Sequence, residues 1–149
     1  MKRHATKALV LTGFLSAAAM TASACSGSTQ PSPVLSTETL SGTVQVLGTD
    51  SKNFTVVYTA ALSDASITLA SLATVASSTS VSTTLGLAFG SIAFDGSCTR
   101  SATFTANAAA IGQELVASGA FGPGQYCVQV FDLGTLTEPT KYTVTLKHF

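Results

Sequence analysis

The sequence is poor in charged residues, has no tryptophan and contains only two histidines. Lys, Arg, Asp and Glu together make up 9% of the 149 residues. Three of the seven basic residues lie within the first seven positions, so the remainder carries four Lys or Arg against seven Asp or Glu. Such a chain has no basic stripe that could follow a phosphate backbone. The composition therefore excludes nucleic acid as a predicted partner.

The scarcity of histidine also removes most catalytic constellations. Beyond the N-terminal region the only histidine is His148, next to the last residue, and we expect it to be a solvated terminal side chain. The sequence contains no H-E-x-x-H motif and no G-x-S-x-G elbow. Its cysteines are not spaced as C-x-x-C. We therefore predict a protein that is not an enzyme and needs no cofactor.

Carboxylates are few and widely separated, which leaves only a weak case for a metal. Asp95, Asp132 and Glu138 are the candidate ligands for Ca²⁺, because carboxylate oxygens suit that ion. No oxygen-rich run of the D-x-D-x-D-G kind is present. The default expectation for all three is a solvated carboxylate in a turn.

The first 24 residues have the three parts of a secretory signal. A basic stretch, Met1 to Lys7, precedes an apolar stretch from Ala8 to Ala19, and small residues follow up to Ala24. The apolar stretch is shorter than the roughly 20 residues that cross a bilayer. We predict that residues 1–24 are a cleaved signal peptide and that the mature chain acts outside the cytoplasm.

The end of this signal, Ala22-Ser23-Ala24-Cys25, resembles a bacterial lipobox, although Ala22 stands where lipoboxes usually have Leu. The resemblance implies that Cys25 is acylated with palmitate-type chains and becomes the N-terminus of a membrane lipoprotein. Residues 25–37, rich in Ser, Gly and Pro, then form a flexible tether. Since no Asp follows Cys25, the outer membrane is the expected site where the source has one. Ordinary signal peptidase would instead release a soluble secreted protein.

The cysteine count fits this interpretation. Three cysteines are an odd number, and an odd cysteine in an exported protein needs its own explanation. Assigning Cys25 to the lipid leaves Cys98 and Cys127, which an oxidising compartment would join. The alternative is a pair of buried free thiols. We predict a Cys98–Cys127 disulfide.

From Leu40 onward the apolar residues recur with a period of two, which indicates strands with one buried face. The alternating residues are Leu40 to Val46, Phe54 to Ala60, Ile67 and Leu69, Leu85 to Phe89, Tyr126 to Val130, and Tyr142 to Leu146. Turn residues separate them at 48–52, 63–64, 95–96, 122–124 and 132–139. Repeated short strands of this kind predict an all-β sandwich or barrel.

Two segments do not follow the alternation. Ala106 to Ala117 is rich in alanine, yet Gly112 interrupts it, so we interpret it as a strand end, a turn at 108–112 and a new strand from Gln113. The Ser/Thr/Ala-rich run 70–84 is expected to contain an exposed loop at 77–80.

The segment Gly122-Pro123-Gly124-Gln125-Tyr126-Cys127-Val128-Gln129-Val130, with the later Tyr142 to Leu146, resembles the end of bacterial pre-peptidase C-terminal domains. The resemblance covers about the last thirty residues. It implies an antiparallel, jelly-roll-like sandwich of about eight or nine strands over residues 38–149, and an accessory role such as holding or targeting another molecule. Fold alone does not give function.

Aromatic residues divide between the two faces of the predicted strands. Those in the inward phase are expected in the core: Phe54, Phe89, Phe104, Tyr126 and Tyr142. Phe131 is one position out of phase with Tyr126, so it should point to the other face, and Phe121 beside a turn is expected to be exposed.

Our leading interpretation is a non-enzymatic lipoprotein of the cell envelope with a structural, adhesive or partner-binding role. Its partners would be a membrane, through the lipid, and an envelope protein or polysaccharide. The alternative is a carbohydrate-binding accessory module, for which Ca²⁺ is a candidate ligand.

Overall fold

The computed structural model describes residues 34–57 and 62–149, and these form eight β-strands and no helix. The all-β prediction is confirmed. The predicted signal peptide, Cys25 and most of the tether lie outside the described residues, as do Tyr58 and Ala60. The strands are β1 (Ser36–Val44), β2 (Thr49–Val56), β3 (Ser63–Thr74), β4 (Leu85–Ile92), β5 (Cys98–Ala109), β6 (Glu114–Phe121), β7 (Gly124–Phe131) and β8 (Thr140–His148).

The strands form two four-stranded antiparallel sheets that pack as a sandwich. The strand orders are β1-β8-β3-β6 and β2-β7-β4-β5, which is the jelly-roll arrangement of eight strands. Because every paired strand runs against its neighbour, alternate connections gather at opposite ends. We call the end that holds Ser36, Val56, Phe121 and His148 the entry end, and the end with the β1–β2, β3–β4, β5–β6 and β7–β8 connections the far end.

The core lies between the sheets and follows the predicted period of two. In β8, Tyr142, Val144 and Leu146 are buried, while Thr143 and Thr145 between them are partly exposed. Burying a side chain of this size contributes about 1.5–3 kcal/mol. Among the described residues the largest fully buried side chains are Tyr142, Phe89, Phe131, Ile67, Leu69, Leu72, Leu85, Leu87, Leu146, Val44, Val56 and Val128.

One polar contact joins the two sheets within this core. The Tyr142 hydroxyl donates to the Asp50 carboxylate at 2.9 Å, and Lys52 lies 3.2 Å from the same oxygen. Burial of the phenol, together with the hydrogen bond to Asp50 and its charge, raises the pKa of Tyr142 far above its ordinary value. The ring reaches Asp50 across Gly42, where any Cβ would clash with both side chains. The relative position of the two sheets is thus fixed by this hydrogen bond as well as by apolar packing.

Two predicted turns are wrong. The predicted turn at 48–52 is strand β2 from Thr49 onward, and the chain reverses earlier, where Gly48 N–H donates to the Gln45 carbonyl at 2.8 Å. Leu47 takes the left-handed conformation there, with φ of 57°, a state that pattern reasoning does not assign to leucine. The predicted turn at Ser63 is the first residue of β3.

The interpretation of the alanine-rich segment is confirmed. Strand β5 ends at Ala109 and β6 begins at Glu114, with a turn in which Gln113 N–H donates to the Ala110 carbonyl at 3.0 Å. Gly112 has a φ of 85°, which alanine would adopt only with strain. The predicted loop at 77–80 is exposed, as expected.

The Cys98–Cys127 disulfide is confirmed, and it crosses a strand. Cys98 begins β5 and Cys127 lies in β7, with β4 between them in the sheet. Strands two apart would ordinarily be separated by roughly 9–10 Å, yet the two Cα atoms are 5.9 Å apart. The start of β5 therefore leans over β4 at Gly90, whose bare backbone lies against the Thr99 carbonyl and the Cys127 sulfur.

Replacing Gly90 by alanine should destabilise the domain, because the new Cβ would meet the Thr99 backbone, which the disulfide holds in place. We expect the free energy of unfolding, measured by denaturant titration without reductant, to fall by about 1–3 kcal/mol. The matched control is Gly122→Ala, whose Cβ would make an ordinary 3.7 Å contact with Leu62 and should change stability by less than about 0.5 kcal/mol. Equal losses in the two variants would contradict the close approach over Gly90.

Candidate functional site

A cavity opens at the side of the sandwich where strand β5 leaves its partner. Ala88 pairs with Thr105 and Gly90 pairs with Arg100, so residues 101–104 of β5 stand opposite Phe89 alone. A bulge of this size cannot continue the hydrogen-bonded ladder. It lifts the edge strand away from the sheet, and the hydroxyl of Thr105 closes the bulge by donating to the Ser101 carbonyl.

The cavity has a volume of about 370 Å³ and a mostly apolar surface. The rings that line it are Phe89, Phe104, Phe121 and Tyr126, which come from four different strands of the two sheets. The other lining residues include Ser91, Thr99, Arg100 and Ser101. A few polar groups beside a mostly apolar surface are what small-molecule sites in proteins usually present.

The aromatic wall continues into the core, where rings pack edge to face. Phe121 lies 4.8 Å from Tyr126 and 5.2 Å from Phe89, both at steep angles, and Phe54 lies 5.8 Å from Phe121. Such pairs contribute about 0.5–1.5 kcal/mol beyond burial. The expectation that Phe121 is exposed is wrong, because the following turn folds the ring inward between the sheets, where it is buried. The Tyr126 hydroxyl donates to the Gly122 carbonyl at 3.1 Å.

Arg100 is held on the outer face of the same sheet. Its guanidinium carbon lies 3.6 Å from the centre of the Phe131 ring, and its Nε donates to Gln129 at 3.1 Å. Gln129 in turn donates to the Cys98 carbonyl at 2.8 Å. Phe131 does lie outside the core, as its phase predicts, yet it is buried over Gly86. The arginine is exposed, but its position is fixed by this packing and these hydrogen bonds.

Sequence reasoning missed Arg100 and Gln129 as positioned residues. A signal was present in β4, where Gly86 and Gly90 occupy the outward phase between Leu85, Leu87 and Phe89. Glycine on one face of a strand indicates that another group approaches closely there. The identity of the group that packs against each glycine depends on the order of the strands in the sheet. The sequence pattern does not give that order.

His148 is not a solvated terminal residue, contrary to prediction. Its ring is buried at the entry end, with its centre 5.2 Å from that of Phe54. Nε2 lies 3.0 Å from Glu38 Oε1, so a proton on that nitrogen is donated to the carboxylate. Because β8 extends to His148 and pairs with β1, the end of the chain is part of the sheet. This contact makes His148 a structural residue.

Asp132 is buried and serves as a hydrogen-bond acceptor for two loops. One oxygen accepts the N–H groups of Gly134, Thr135 and Leu136, and the other accepts the N–H of Leu47 at 2.9 Å. Burial alone raises the pKa of this carboxyl. The hydrogen bonds from Leu47, Thr135 and Gly134 outweigh burial and lower the pKa to about 2. The carboxylate thus fastens the β1–β2 turn to the start of the β7–β8 loop.

The three candidate calcium ligands are not brought together. Asp95 lies in the exposed β4–β5 turn at the entry end, where hydrogen bonds from the Ser97 hydroxyl and N–H lower its pKa. Asp132 and Glu138 belong to the far end, and the oxygens of Asp132 already accept four N–H groups. Within residues 34–57 and 62–149 no three His, Cys, Asp or Glu side chains are grouped to hold a metal.

Comparison with protein-family models and with curated proteins finds no match to this chain. In the part of the chain that the structure describes, no helix is long and apolar enough to cross a membrane. Cys25, the predicted lipidation site, lies outside the described residues. The site is therefore interpreted from its own geometry.

Substituting Asp132 by asparagine should destabilise the domain, because an amide cannot accept the hydrogen bonds of both loops as an anion does. We expect a loss of about 1.5–3 kcal/mol in the free energy of unfolding at neutral pH. The pKa of Asp132 is about 2 in the folded state, against an ordinary value of 3.8 for an aspartate carboxyl. The contribution is therefore complete above pH 4 and lost as the pH falls through about 2.

The difference between wild type and D132N should shrink over that same pH interval when unfolding is followed by circular dichroism. The matched control is Asp95→Asn, whose carboxylate caps an exposed turn and should cost much less. A loss in D132N that does not change down to pH 2 would contradict the role of the ionised carboxylate.

Proposed function

We propose that this chain is an exported, lipid-anchored and non-enzymatic domain that presents a small β-sandwich at a bacterial envelope for structural, adhesive or partner-binding roles. The observation that carries the proposal is the disulfide. Cys98 and Cys127 are joined, which leaves Cys25 as the one cysteine without a partner in the chain. Disulfides form and persist outside the cytoplasm, and Cys25 directly follows a signal-like segment.

The roles of the titratable side chains support a non-enzymatic function. His148 is used to close the sheet against Glu38, and Asp132 is occupied by backbone N–H groups of two loops. Asp50 is occupied by Tyr142 and Lys52. Each of these groups has a structural partner that accounts for its position. The cavity is lined by aromatic rings, hydroxyl groups and Arg100 and by no carboxylate or histidine.

Intact mass spectrometry of the full chain, expressed in a bacterium, tests the anchor. We expect cleavage before Cys25 and a mass increase of diacylglyceryl size, with two alkylations appearing only after reduction, on Cys98 and Cys127. In the control variant Cys25→Ser the lipid increment should be lost and the two reduction-dependent alkylations kept. A mature chain that begins with an unmodified Cys25 would overturn the anchor and leave a soluble secreted domain.

The cavity favours a second candidate function, a carbohydrate-binding accessory module. Sugar rings present flat C–H faces that pack on aromatic rings and hydroxyl groups that seek hydrogen bonds. The lining of the cavity includes both kinds of residue, aromatic ones such as Phe104 and Tyr126 and hydroxyl-bearing ones such as Thr99 and Ser101. Its volume of about 370 Å³ is within the range of small-ligand sites.

Phe104 is the residue that should separate this candidate from a purely structural role. It is half-buried at the bulge and lines the cavity. If oligosaccharides bind there, Phe104→Ala should weaken binding about tenfold in calorimetry, since a lost aromatic contact of about 1.4 kcal/mol corresponds to that factor. The matched control Phe94→Ala removes an exposed ring outside the lining and should leave the affinity unchanged. No raised melting temperature with any glycan at millimolar concentration would exclude the carbohydrate module.

A further inference from the structure

We propose that the entry end of the sandwich rests on the lipid bilayer and that Phe94 inserts among its zwitterionic headgroups. This inference rests on the proposed anchor at Cys25. It adds a defined orientation and a defined contact surface, which the anchor alone would not give. The argument comes from the length of the tether, the exposed side chains at the entry end and the charges beside them.

The length of the tether restricts which end can meet the membrane. Cys25 and Ser36, the first residue of β1, are eleven positions apart. Eleven residues of fully extended chain span at most about 36–40 Å. Strand β8 has nine residues and, at about 3.3 Å each, is roughly 30 Å long. The tether joins the sandwich at the entry end, so the far end could meet the membrane only with the tether stretched over most of its length, whereas the entry end needs no such extension.

Apolar side chains are exposed at this end. Phe94, at the tip of the β4–β5 turn, is fully exposed and is the one aromatic among the exposed large apolar residues of the described chain. Val57 and Leu62, which border the β2–β3 connection, are exposed at the same end. Leu35, which precedes β1, is exposed as well. Exposed aromatic and aliphatic side chains beside a lipid anchor are the groups that enter the boundary between headgroups and acyl chains.

The charges at the entry end select the kind of bilayer. Asp95 follows Phe94 directly and is exposed. Asp64, near the start of β3, is exposed as well, but the exposed Lys147 borders the same surface depression, so the two charges there oppose each other. Hydrogen bonds from Ser97 lower the pKa of Asp95, so the turn carries a negative charge at neutral pH. Anionic lipids would repel the turn that carries Phe94 and Asp95. Zwitterionic headgroups therefore fit it, and added anionic lipid should weaken the contact.

Apolar side chains are also exposed at the far end, and they provide the control. Leu133, in the β7–β8 loop, is 58% exposed and is aliphatic. Since the chain contains no tryptophan, Phe94→Trp and Leu133→Trp each introduce a single fluorescent indole. The two reporters sit at opposite ends of the same sandwich and replace side chains that are largely in solvent, so neither substitution disturbs the core.

The experiment attaches the mature chain to vesicles by a chemical route. The chain from Cys25 onward, which contains the whole compact unit Ser32–Phe149, is coupled through the Cys25 thiol to a maleimide lipid in phosphatidylcholine vesicles. A second set of vesicles contains phosphatidylcholine brominated near the headgroup end of its acyl chains. We expect the F94W indole to shift its emission to the blue and to lose fluorescence to bromine, while the L133W indole does neither.

Replacing a third of the phosphatidylcholine by phosphatidylglycerol should reduce the quenching of F94W, and Asp95→Asn in the F94W background should restore it. Equal quenching at the two ends, quenching of L133W alone, or no quenching of either would overturn the proposal. Because the anchor is imposed chemically, these outcomes do not depend on natural lipidation. Failure of lipidation appears instead as an unmodified Cys25 in the intact mass.

Discussion

The disulfide between Cys98 and Cys127 is the constraint on which the candidate site depends. It draws the start of β5 close over Gly90, where residues 98–100 pair with β4. Pairing with β4 resumes at Thr105, and residues 101–104 form a bulge opposite Phe89. The cavity lies beside this bulge. A bridge closing a loop of this length also stabilises the domain by about 3–4 kcal/mol through the unfolded state.

The two ends of the sandwich are stabilised by different interactions. At the far end the buried Asp132 carboxylate binds the N–H groups of two loops, which a short polar segment needs because it has few apolar side chains to bury. At the entry end, the rings of Phe54, Phe121, Tyr126 and His148 pack together between the sheets. The tip of the β4–β5 turn lies outside this aromatic cluster. Phe94 at that tip can therefore be exposed without removing a side chain from the core.

Much of the fold could be predicted from the sequence because a strand with one buried face has apolar and polar residues in alternation, as β8 does. The Cys98–Cys127 pair could be predicted from the odd number of cysteines. The break at Gly112 could be predicted because glycine permits a backbone conformation that ends a strand. The predictions that His148 and Phe121 are exposed were wrong for one reason. The burial of both side chains depends on strands contributed by distant parts of the chain. The left-handed Leu47 is imposed by Asp132, 85 residues later in the sequence. The cavity itself could not be predicted, since it arises from a register shift that no local pattern records.

The position of the cavity links the two proposals. Its wall includes Ser91 and Thr99, which flank the turn that carries Phe94, so the cavity lies toward the entry end and opens at the side of the sandwich, between the edges formed by β5 and β6. With the entry end on a bilayer, a side opening would face along the membrane surface and not away from it. A ligand would then have to be present close to the headgroups and to approach parallel to them. An envelope polysaccharide or protein lying on the membrane meets that requirement. A large soluble particle would be kept from the opening by the bilayer below it and by the sandwich beside it.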